Sequence, residues 1–255
     1  MDTSCLIGKS PFRLMAVSFP GLSQELATAF EAFDRVLEYY SQLPWSERSQ
    51  YSILEPWEQK PDLGFRERSA EEGKDNKIVF QYSHELGPLL PSHLQAPEIT
   101  RFLAVASGLY DAVRKQVLAA VRELDEALDG RFGLYQRTRN YRHHKLRLLK
   151  YRDTEGELAG MHYDKSFLSA HLGETSPGFL VKVSGAYHPV VTRTDTMQVF
   201  PGLKAPKATA GIISPLYHGA IVTNRIPLAR KSAAFFLHGP WELLTRDTHT
   251  ELSGM

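Results

Sequence analysis

The sequence is poor in cysteine, in net charge and in long apolar runs, and each shortage argues against a particular feature: disulfides, charged partners or membrane spans. One residue in 255 is cysteine, so no disulfide can form within the chain and a reducing compartment is expected. Thirty basic residues face 29 acidic ones, a formal charge of +1, which predicts neither nucleic acid nor a membrane surface as partner. The apolar stretch Leu14–Phe19 is too short to span a membrane and lacks the form of a secretory signal. We therefore expect a soluble, cytoplasmic protein.

Two helical patterns occupy the first half of the chain. Between Ser23 and Gln42, apolar residues recur three and four positions apart, with Ser23 as a plausible N-cap. A longer pattern begins at Pro97, a good first-turn residue, and stops at Gly130. The segment 43–96 between them is rich in Pro, Glu, Ser and Gly. It is predicted to be a long, loop-rich insertion with short elements.

Short β-prone runs separated by turn residues replace these patterns after Gly130. The predicted strands are Leu146–Tyr151, Phe167–Leu172, Gly178–Val183, His188–Thr192, Gln198–Phe200, Ile221–Thr223 and Ala233–Leu237. Many short strands at this spacing favour a jelly roll, sandwich or small barrel. The predicted fold class is therefore α+β, with N-terminal helices packed against a β core. We expect residues 1–130 to form the helical, loop-rich region and residues 131–255 the core of one structural domain.

A candidate metal site is spread over two of these segments. His162 and Asp164 stand two apart at the start of a predicted strand, where side chains two apart share a face. His218 lies beside another predicted strand. Two histidines and one carboxylate form the ligand set associated with non-haem Fe(II) oxygenases. On the His-x-Asp triplet alone, a surface or turn pair is the favoured interpretation.

Arg230 and Ser232 form a second candidate site on a very apolar predicted strand. An arginine that faces inward there would be costly unless it met an anion. The guanidinium suits a carboxylate, and a hydroxyl on the same strand face can donate to the same group. The alternative is an outward Arg230 on a solvated face.

Further blocks agree in order and spacing with one known family. They are SQLPWSERSQYS, GFRERSAEEGKDNKIVFQY, LRLLKYRD, GFLVKVSGAYHPV and FPGLKAPKATAGIISPLYHGAIV. With the His-x-Asp, His and Arg-x-Ser residues, they resemble the 2-oxoglutarate- and Fe(II)-dependent dioxygenases of the isopenicillin N synthase-like branch, over most of the chain. Departures from the family pattern are Gly219-Ala220 after His218, Arg152 after Tyr151, and Leu149 at a position that is often polar.

The resemblance implies a double-stranded β-helix (jelly roll) and a specific chemistry. Fe(II) would be held by His162, Asp164 and His218, with 2-oxoglutarate and O2 as co-substrates. Arg230 and Ser232 would bind the distal carboxylate of 2-oxoglutarate, with Tyr151 nearby as a hydrogen-bond donor. The implied reaction is the oxidation, by default hydroxylation, of a C–H bond in a small molecule, with release of succinate and CO2.

Arg147 is the candidate substrate contact. If Tyr151 faces the metal, strand alternation puts Arg147 on the same inward face, where it would suit an anionic substrate; the alternative is a side chain that reaches the rim or pairs with an acid. Two other functions stay open. One is an oxidase or cyclase of the same family that does not use 2-oxoglutarate, and the other is a non-catalytic metal- or ligand-binding relative.

Overall fold

The computed structural model describes residues 14–54, 62–68, 76–152, 156–222 and 229–241. The strands are β1 (Met15–Ser18), β2 (Ser52–Ile53), β3 (Leu63–Arg68), β4 (Lys77–Tyr82), β5 (Lys145–Tyr151), β6 (Gly156–His162), β7 (Leu168–Glu174), β8 (Phe179–Val183), β9 (Ala186–Pro189), β10 (Thr196–Pro201), β11 (His218–Val222) and β12 (Lys231–Leu237). The α-helices are α1 (Leu22–Gln42), α2 (Trp45–Arg48), α3 (Leu86–Leu89), α4 (Pro97–Ala127), α5 (Leu134–Arg139) and α6 (Ala205–Ala208). Single 3₁₀ turns lie at Ser49–Tyr51 and Ser92–Leu94.

The strands form two antiparallel sheets. The major sheet has eight strands in the order β1-β10-β7-β12-β5-β4-β3-β2, and the minor sheet has four in the order β6-β11-β8-β9. Buried residues of β4 and β5 pack against buried residues of β6 and β11, so the sheets face each other. This arrangement confirms the predicted α+β fold with a jelly-roll core.

The side chains of β5 alternate between two hydrophobic cores. Leu146 and Leu148 join the large core formed with α1 and α4, whereas Leu149 and Tyr151 join the smaller core between the sheets. Successive side chains on a strand point to opposite faces, so one strand serves both. The helices therefore cover the outer face of the major sheet and leave its inner face to the candidate site.

The two long helices begin and end close to the predicted positions, although their caps differ. The predicted N-cap, Ser23, lies inside α1, and Gly21 at φ 86° precedes the helix. Ser23 instead pairs with Asp195, whose side chain accepts from the Ser23 backbone N–H at 2.9 Å. Helix α4 begins at Pro97 as predicted, and the N–H of Gly130 donates to the Asp125 carbonyl at 2.7 Å beyond its end.

The segment 43–96 is more regular than predicted. It contributes β3 and β4, six residues each, which continue the major sheet from β5. Region 1–130 thus supplies β1 to β4 to that sheet in addition to its helices, and residue 130 is not a sheet boundary. Strand β6 was also not predicted, because Gly and Ala in GELAGMH weaken the β signal. Two predicted features, Cys5 and Thr223 at the end of one strand, lie outside the described residues.

Candidate active site

Strand pairing brings the two candidate histidines together. His162 is the last residue of β6 and His218 the first of β11, and the two are register partners in the minor sheet. Their ring centroids lie 4.6 Å apart. Asp164 does not lie on a strand, so the expectation that His162 and Asp164 share a strand face is wrong in its geometry. The chain turns after β6, and the backbone of this turn is fixed by the N–H of Leu203, which donates to the Asp164 carbonyl at 2.8 Å.

The three side chains nevertheless converge on one point. The Nε2 atom of His162 lies 3.5 Å from Oδ1 of Asp164, and the Nε2 atom of His218 lies 3.3 Å from Oδ2. In the part of the chain that the structure describes, these residues form a group whose ligand atoms all lie within 4.8 Å of one another. Two imidazole nitrogens and a carboxylate at this separation match the ligand set of a non-haem iron site.

Backbone carbonyls orient both imidazoles. The Nδ1 atom of His162 is 2.7 Å from the Gly160 carbonyl, and that of His218 is 3.1 Å from the Leu216 carbonyl. A carbonyl oxygen can only accept, so each Nδ1 carries a proton and each Nε2 is the ring nitrogen that faces Asp164. Such outer contacts fix the tautomer and ring orientation of metal-binding histidines.

Serine hydroxyls hold the carboxylate. Ser169 donates to Oδ2 of Asp164 at 2.6 Å and lies 2.8 Å from the hydroxyl of Ser166. Burial raises the pKa of Asp164, but the neighbouring His218 and His162 outweigh it and hold that pKa well below its usual value. Asp164 is therefore an ionised ligand. Gly202 permits this packing, since a Cβ there would lie 2.5 Å from the Ser166 carbonyl.

The group opens to solvent on one side. The His162 side chain is 47% exposed, whereas those of Asp164 and His218 are each 8% exposed. Burial lowers the pKa of His162, but its hydrogen bond with Asp164 prevails and the net shift is upward. The buried Phe200 packs against His218, with ring centroids 4.6 Å apart. Access to the three ligands therefore runs past His162.

Arg230 points inward, just before β12, and is 1% exposed. Its Nη2 atom donates to Glu174 and its Nε atom donates to the Ser176 carbonyl at 3.0 Å. Its Cζ atom lies 5.0 Å from the centroid of the Tyr151 ring. The inward orientation agrees with the sequence interpretation, but the anion that meets the guanidinium in this structure is a carboxylate of the chain itself. The sequence carried no signal for Glu174.

Ser232 and Tyr151 flank this arginine. Ser232 is buried two residues along the same face and is the register partner of Glu174 on β7 and of Leu149 on β5. The Tyr151 ring lies between Arg230 and Lys77, whose Nζ atom is 5.2 Å from its centroid. The structure thus places Tyr151 against the arginine. Its role as a donor to the co-substrate stays a prediction.

Arg147 lies on the inner face of β5, as predicted. Its Nε atom donates to Oε1 of Gln81 at 2.8 Å, and its Cζ atom is 4.4 Å from the centroid of the Phe236 ring. Burial lowers the pKa of Arg147, whereas the negative charge of Asp164 opposes that shift. The guanidinium is therefore close enough to the candidate metal ligands for their charges to interact.

His171 lies between the metal ligands and the arginine, and sequence reasoning assigned it no role. Its ring stacks on Phe179 with centroids 4.6 Å apart, and its Nε2 atom lies 3.6 Å from Oε2 of Glu174. Burial, reinforced by the positive charge of Arg230, lowers the pKa of His171 to about 3. The imidazole is consequently neutral, and it adds no positive charge to this interior.

The residues present fit Fe(II) and 2-oxoglutarate, the two groups that the family resemblance implied. The two Nε2 atoms and the ionised Asp164 carboxylate are a donor set that suits a divalent transition-metal cation, and binding of such a cation would displace any proton on the Nε2 atoms. The Nη1 atom of Arg230 is buried and has no hydrogen-bond partner among the described residues. A buried donor of this kind is satisfied when an anionic oxygen binds next to it.

Similar structures are known, although no protein-family model matches the sequence and no curated protein matches it. A full-length Neurospora crassa protein in complex with alpha-KG and 5-formyluracil has a TM-score of 0.72 at 15% identity, over 93% of this chain and 78% of that one. AtDAO1, the dioxygenase for auxin oxidation 1 from Arabidopsis thaliana, in complex with 2-oxoglutarate, has a TM-score of 0.67 at 17% identity, over 93% and 88%. JOX2 in complex with 2OG, Fe and JA has a TM-score of 0.70 at 16% identity, over 95% and 72%.

A search for membrane-spanning helices gives a negative result for the described residues. Neither α4 nor any other helix in these ranges combines the length and apolar character that crossing a bilayer requires.

The similarity to the Neurospora crassa protein, AtDAO1 and JOX2 extends over more than nine-tenths of this chain in each case. The chain therefore has the fold of these three structures.

Proposed function

We propose that this protein is an Fe(II)- and 2-oxoglutarate-dependent dioxygenase that hydroxylates a C–H bond of a small molecule. The overall reaction takes RH, O2 and 2-oxoglutarate to ROH, succinate and CO2. The observation that carries the proposal is the convergence of His162, Asp164 and His218, with the Nε2 atoms of both histidines directed at the Asp164 carboxylate. The three similar structures described above were solved with alpha-KG, 2-oxoglutarate or 2OG bound.

The chain's own residues hold and orient the reactants. His162, Asp164 and His218 would hold Fe(II), which when bound supplies the site for O2 activation. Ser169 keeps the Asp164 carboxylate in place, and neighbouring aromatic rings such as Phe200 exclude water from the buried side. The protein thereby fixes the geometry, while the redox chemistry belongs to the metal and its co-substrate.

The co-substrate would extend from the metal toward the arginine. Arg230 and Ser232 lie on the inner face of the major sheet and are buried, so a carboxylate there would be shielded from water. The Nη1 atom of Arg230, which no described residue engages in a hydrogen bond, is the donor that such a carboxylate would meet. Tyr151, which lies against the guanidinium, completes the proposed co-substrate site.

Arg147 would select the substrate. A guanidinium between Gln81 and the Phe236 ring, and within electrostatic reach of Asp164, suits an anionic group on a small molecule.

The partner, the family branch and the location are proposed from the sequence. A formal charge near zero argues against a nucleic-acid partner, and the order of the sequence blocks supports the isopenicillin N synthase-like branch. The single cysteine supports a cytoplasmic location.

The ion pair between Arg230 and Glu174 favours a second candidate, an oxidase or cyclase that does not use 2-oxoglutarate. Succinate production separates the two. With Fe(II), O2 and 2-oxoglutarate the protein should form succinate, slowly alone and faster with a matching anionic substrate, whereas His162→Ala should form none. Oxidation of a substrate without any succinate would contradict the proposal and support the second candidate.

A further inference from the structure

Glu174 is a buried carboxylate for which the proposed reaction has no use. Its side chain is 6% exposed, and both of its oxygens are engaged. Oε1 accepts the backbone N–H of Gly178 at 2.9 Å, and Oε2 accepts from Nη2 of Arg230. Gly178 suits this close packing, because a Cβ at that position would lie 3.1 Å from Nε of Arg230, a tighter contact than most Cβ atoms make. A carboxylate held at both oxygens is not readily displaced.

The arginine consequently offers a second anion fewer donors. Nε donates to the Ser176 carbonyl and Nη2 donates to Glu174, whereas Nη1 has no partner among the described residues. A dicarboxylate would therefore meet Arg230 mainly at Nη1, together with the hydroxyl of Ser232, rather than at both arms of the guanidinium fork. Its carboxylate would also lie beside that of Glu174, where burial makes repulsion between like charges strong.

We propose that Glu174 sets the co-substrate specificity of this site by weakening its binding of the distal carboxylate of 2-oxoglutarate. The proposal rests on the proposed function, since it concerns the same co-substrate site. A 2-oxo acid with an uncharged tail binds the metal through the same end but places no negative charge next to Glu174. Glu174 therefore reduces the difference in binding affinity between 2-oxoglutarate and 2-oxo acids that lack a distal carboxylate.

Glu174→Gln tests the proposal because it removes the charge while keeping an oxygen that can accept from Arg230. Anaerobic Fe(II)-loaded protein is titrated with 2-oxoglutarate, and separately with 2-oxobutanoate, and binding is followed by the metal-to-ligand absorption band. We expect the variant to bind 2-oxoglutarate about tenfold more tightly or better. Binding of 2-oxobutanoate should change by less than about twofold, since its tail carries no charge. Asp111→Asn, which removes an exposed carboxylate on α4, is the matched control and should change neither.

Other outcomes separate this inference from the proposed function. Unchanged or weaker binding of 2-oxoglutarate by a folded Glu174→Gln protein, or equal shifts for both 2-oxo acids, would mean that Glu174 only positions Arg230. That result overturns the inference and leaves the proposed function intact. Absence of 2-oxoglutarate binding in both wild type and variant overturns both.

The wild-type protein alone provides a second measurement, which does not depend on the folding of any variant. A single charge-assisted hydrogen bond supports a preference for 2-oxoglutarate over 2-oxobutanoate of less than about a hundredfold. A larger preference would show that Arg230 receives the distal carboxylate in spite of Glu174, and it would overturn the inference.

Discussion

The two ends of the interior between the sheets differ in how their charges are balanced. At the metal end, the ionised Asp164 faces the Nε2 atoms of His162 and His218, and a bound divalent cation would complete this ligand set. At the other end, Arg230 is already neutralised by Glu174, and the neutral His171 adds no positive charge. The metal end can therefore bind a cation directly, whereas at the arginine end an incoming anion must compete with the Glu174 carboxylate for Arg230.

The largest effect is expected at the metal end. Asp164→Asn keeps the shape of the side chain but removes the only negative ligand, so the protein should lose Fe(II) binding. Anaerobic titration calorimetry measures this directly, and Asp111→Asn serves as the control for loss of a surface carboxylate. An unchanged Fe(II) affinity in Asp164→Asn would mean that the cation lies elsewhere.

The next effect concerns stability at the arginine end. Arg230→Met leaves the buried Glu174 carboxylate without its partner and should lower the free energy of unfolding by about 3–5 kcal/mol. The double variant Arg230→Met/Glu174→Met removes both charges and should recover most of that loss. Urea denaturation of the metal-free proteins compares the variants. Equal stability of the single and double variants would show that the pair is not coupled.

A smaller effect is expected from the serine that supports Asp164. Ser169→Ala removes a 2.6 Å hydrogen bond to Oδ2 without touching a ligand atom. Loss of such an outer contact typically weakens metal binding by about 10–100-fold. The same calorimetric titration checks this, with Ser232→Ala as the hydroxyl-loss control, which should leave metal affinity unchanged. A matching loss in both variants would point to a general structural effect.

A buried histidine with no opposite charge gives a third point of comparison. Burial and the nearby positive charge of Arg114 lower the pKa of His144 to about 3, although the hydrogen bond of its ring with the Thr138 carbonyl acts in the opposite direction. The unfolded chain therefore binds this proton first, and stability falls as pH drops from about 6.5 toward 3. The contribution is about 1.4 kcal/mol per pH unit in that window. Urea denaturation at pH 7.5 and 5.5 should show a smaller acid loss in His144→Gln, and an equal loss would contradict it.

The comparison also shows what sequence can predict about a site. His162, Asp164, His218 and Arg230 could be identified because their residue types follow a recognisable spacing. The geometry that joins them could not, since it depends on the pairing of β6 with β11 and on a turn that carries Asp164 off the strand. The local sequence pattern thus identifies the candidate ligands, whereas the pairing of strands in the sheets brings them together.

Glu174 is the clearest case of a residue that no local pattern marks. It is one acid at the end of a strand, and its role appears only when β7 and β12 pair and place it beside Arg230. The same limit explains β3 and β4, whose short runs among charged residues are stabilised by their neighbours in the major sheet. Long-range pairing, rather than local propensity, decides both.

Anaerobic titration of the protein with Fe(II) and 2-oxoglutarate tests the central claim most directly. The account predicts a visible metal-to-ligand charge-transfer band that requires both additions and is absent from His162→Ala. Arg230→Ala should retain the band but require more 2-oxoglutarate to reach it. A band of full intensity in His162→Ala, or none in the wild-type protein, would contradict the assignment of these three side chains as iron ligands.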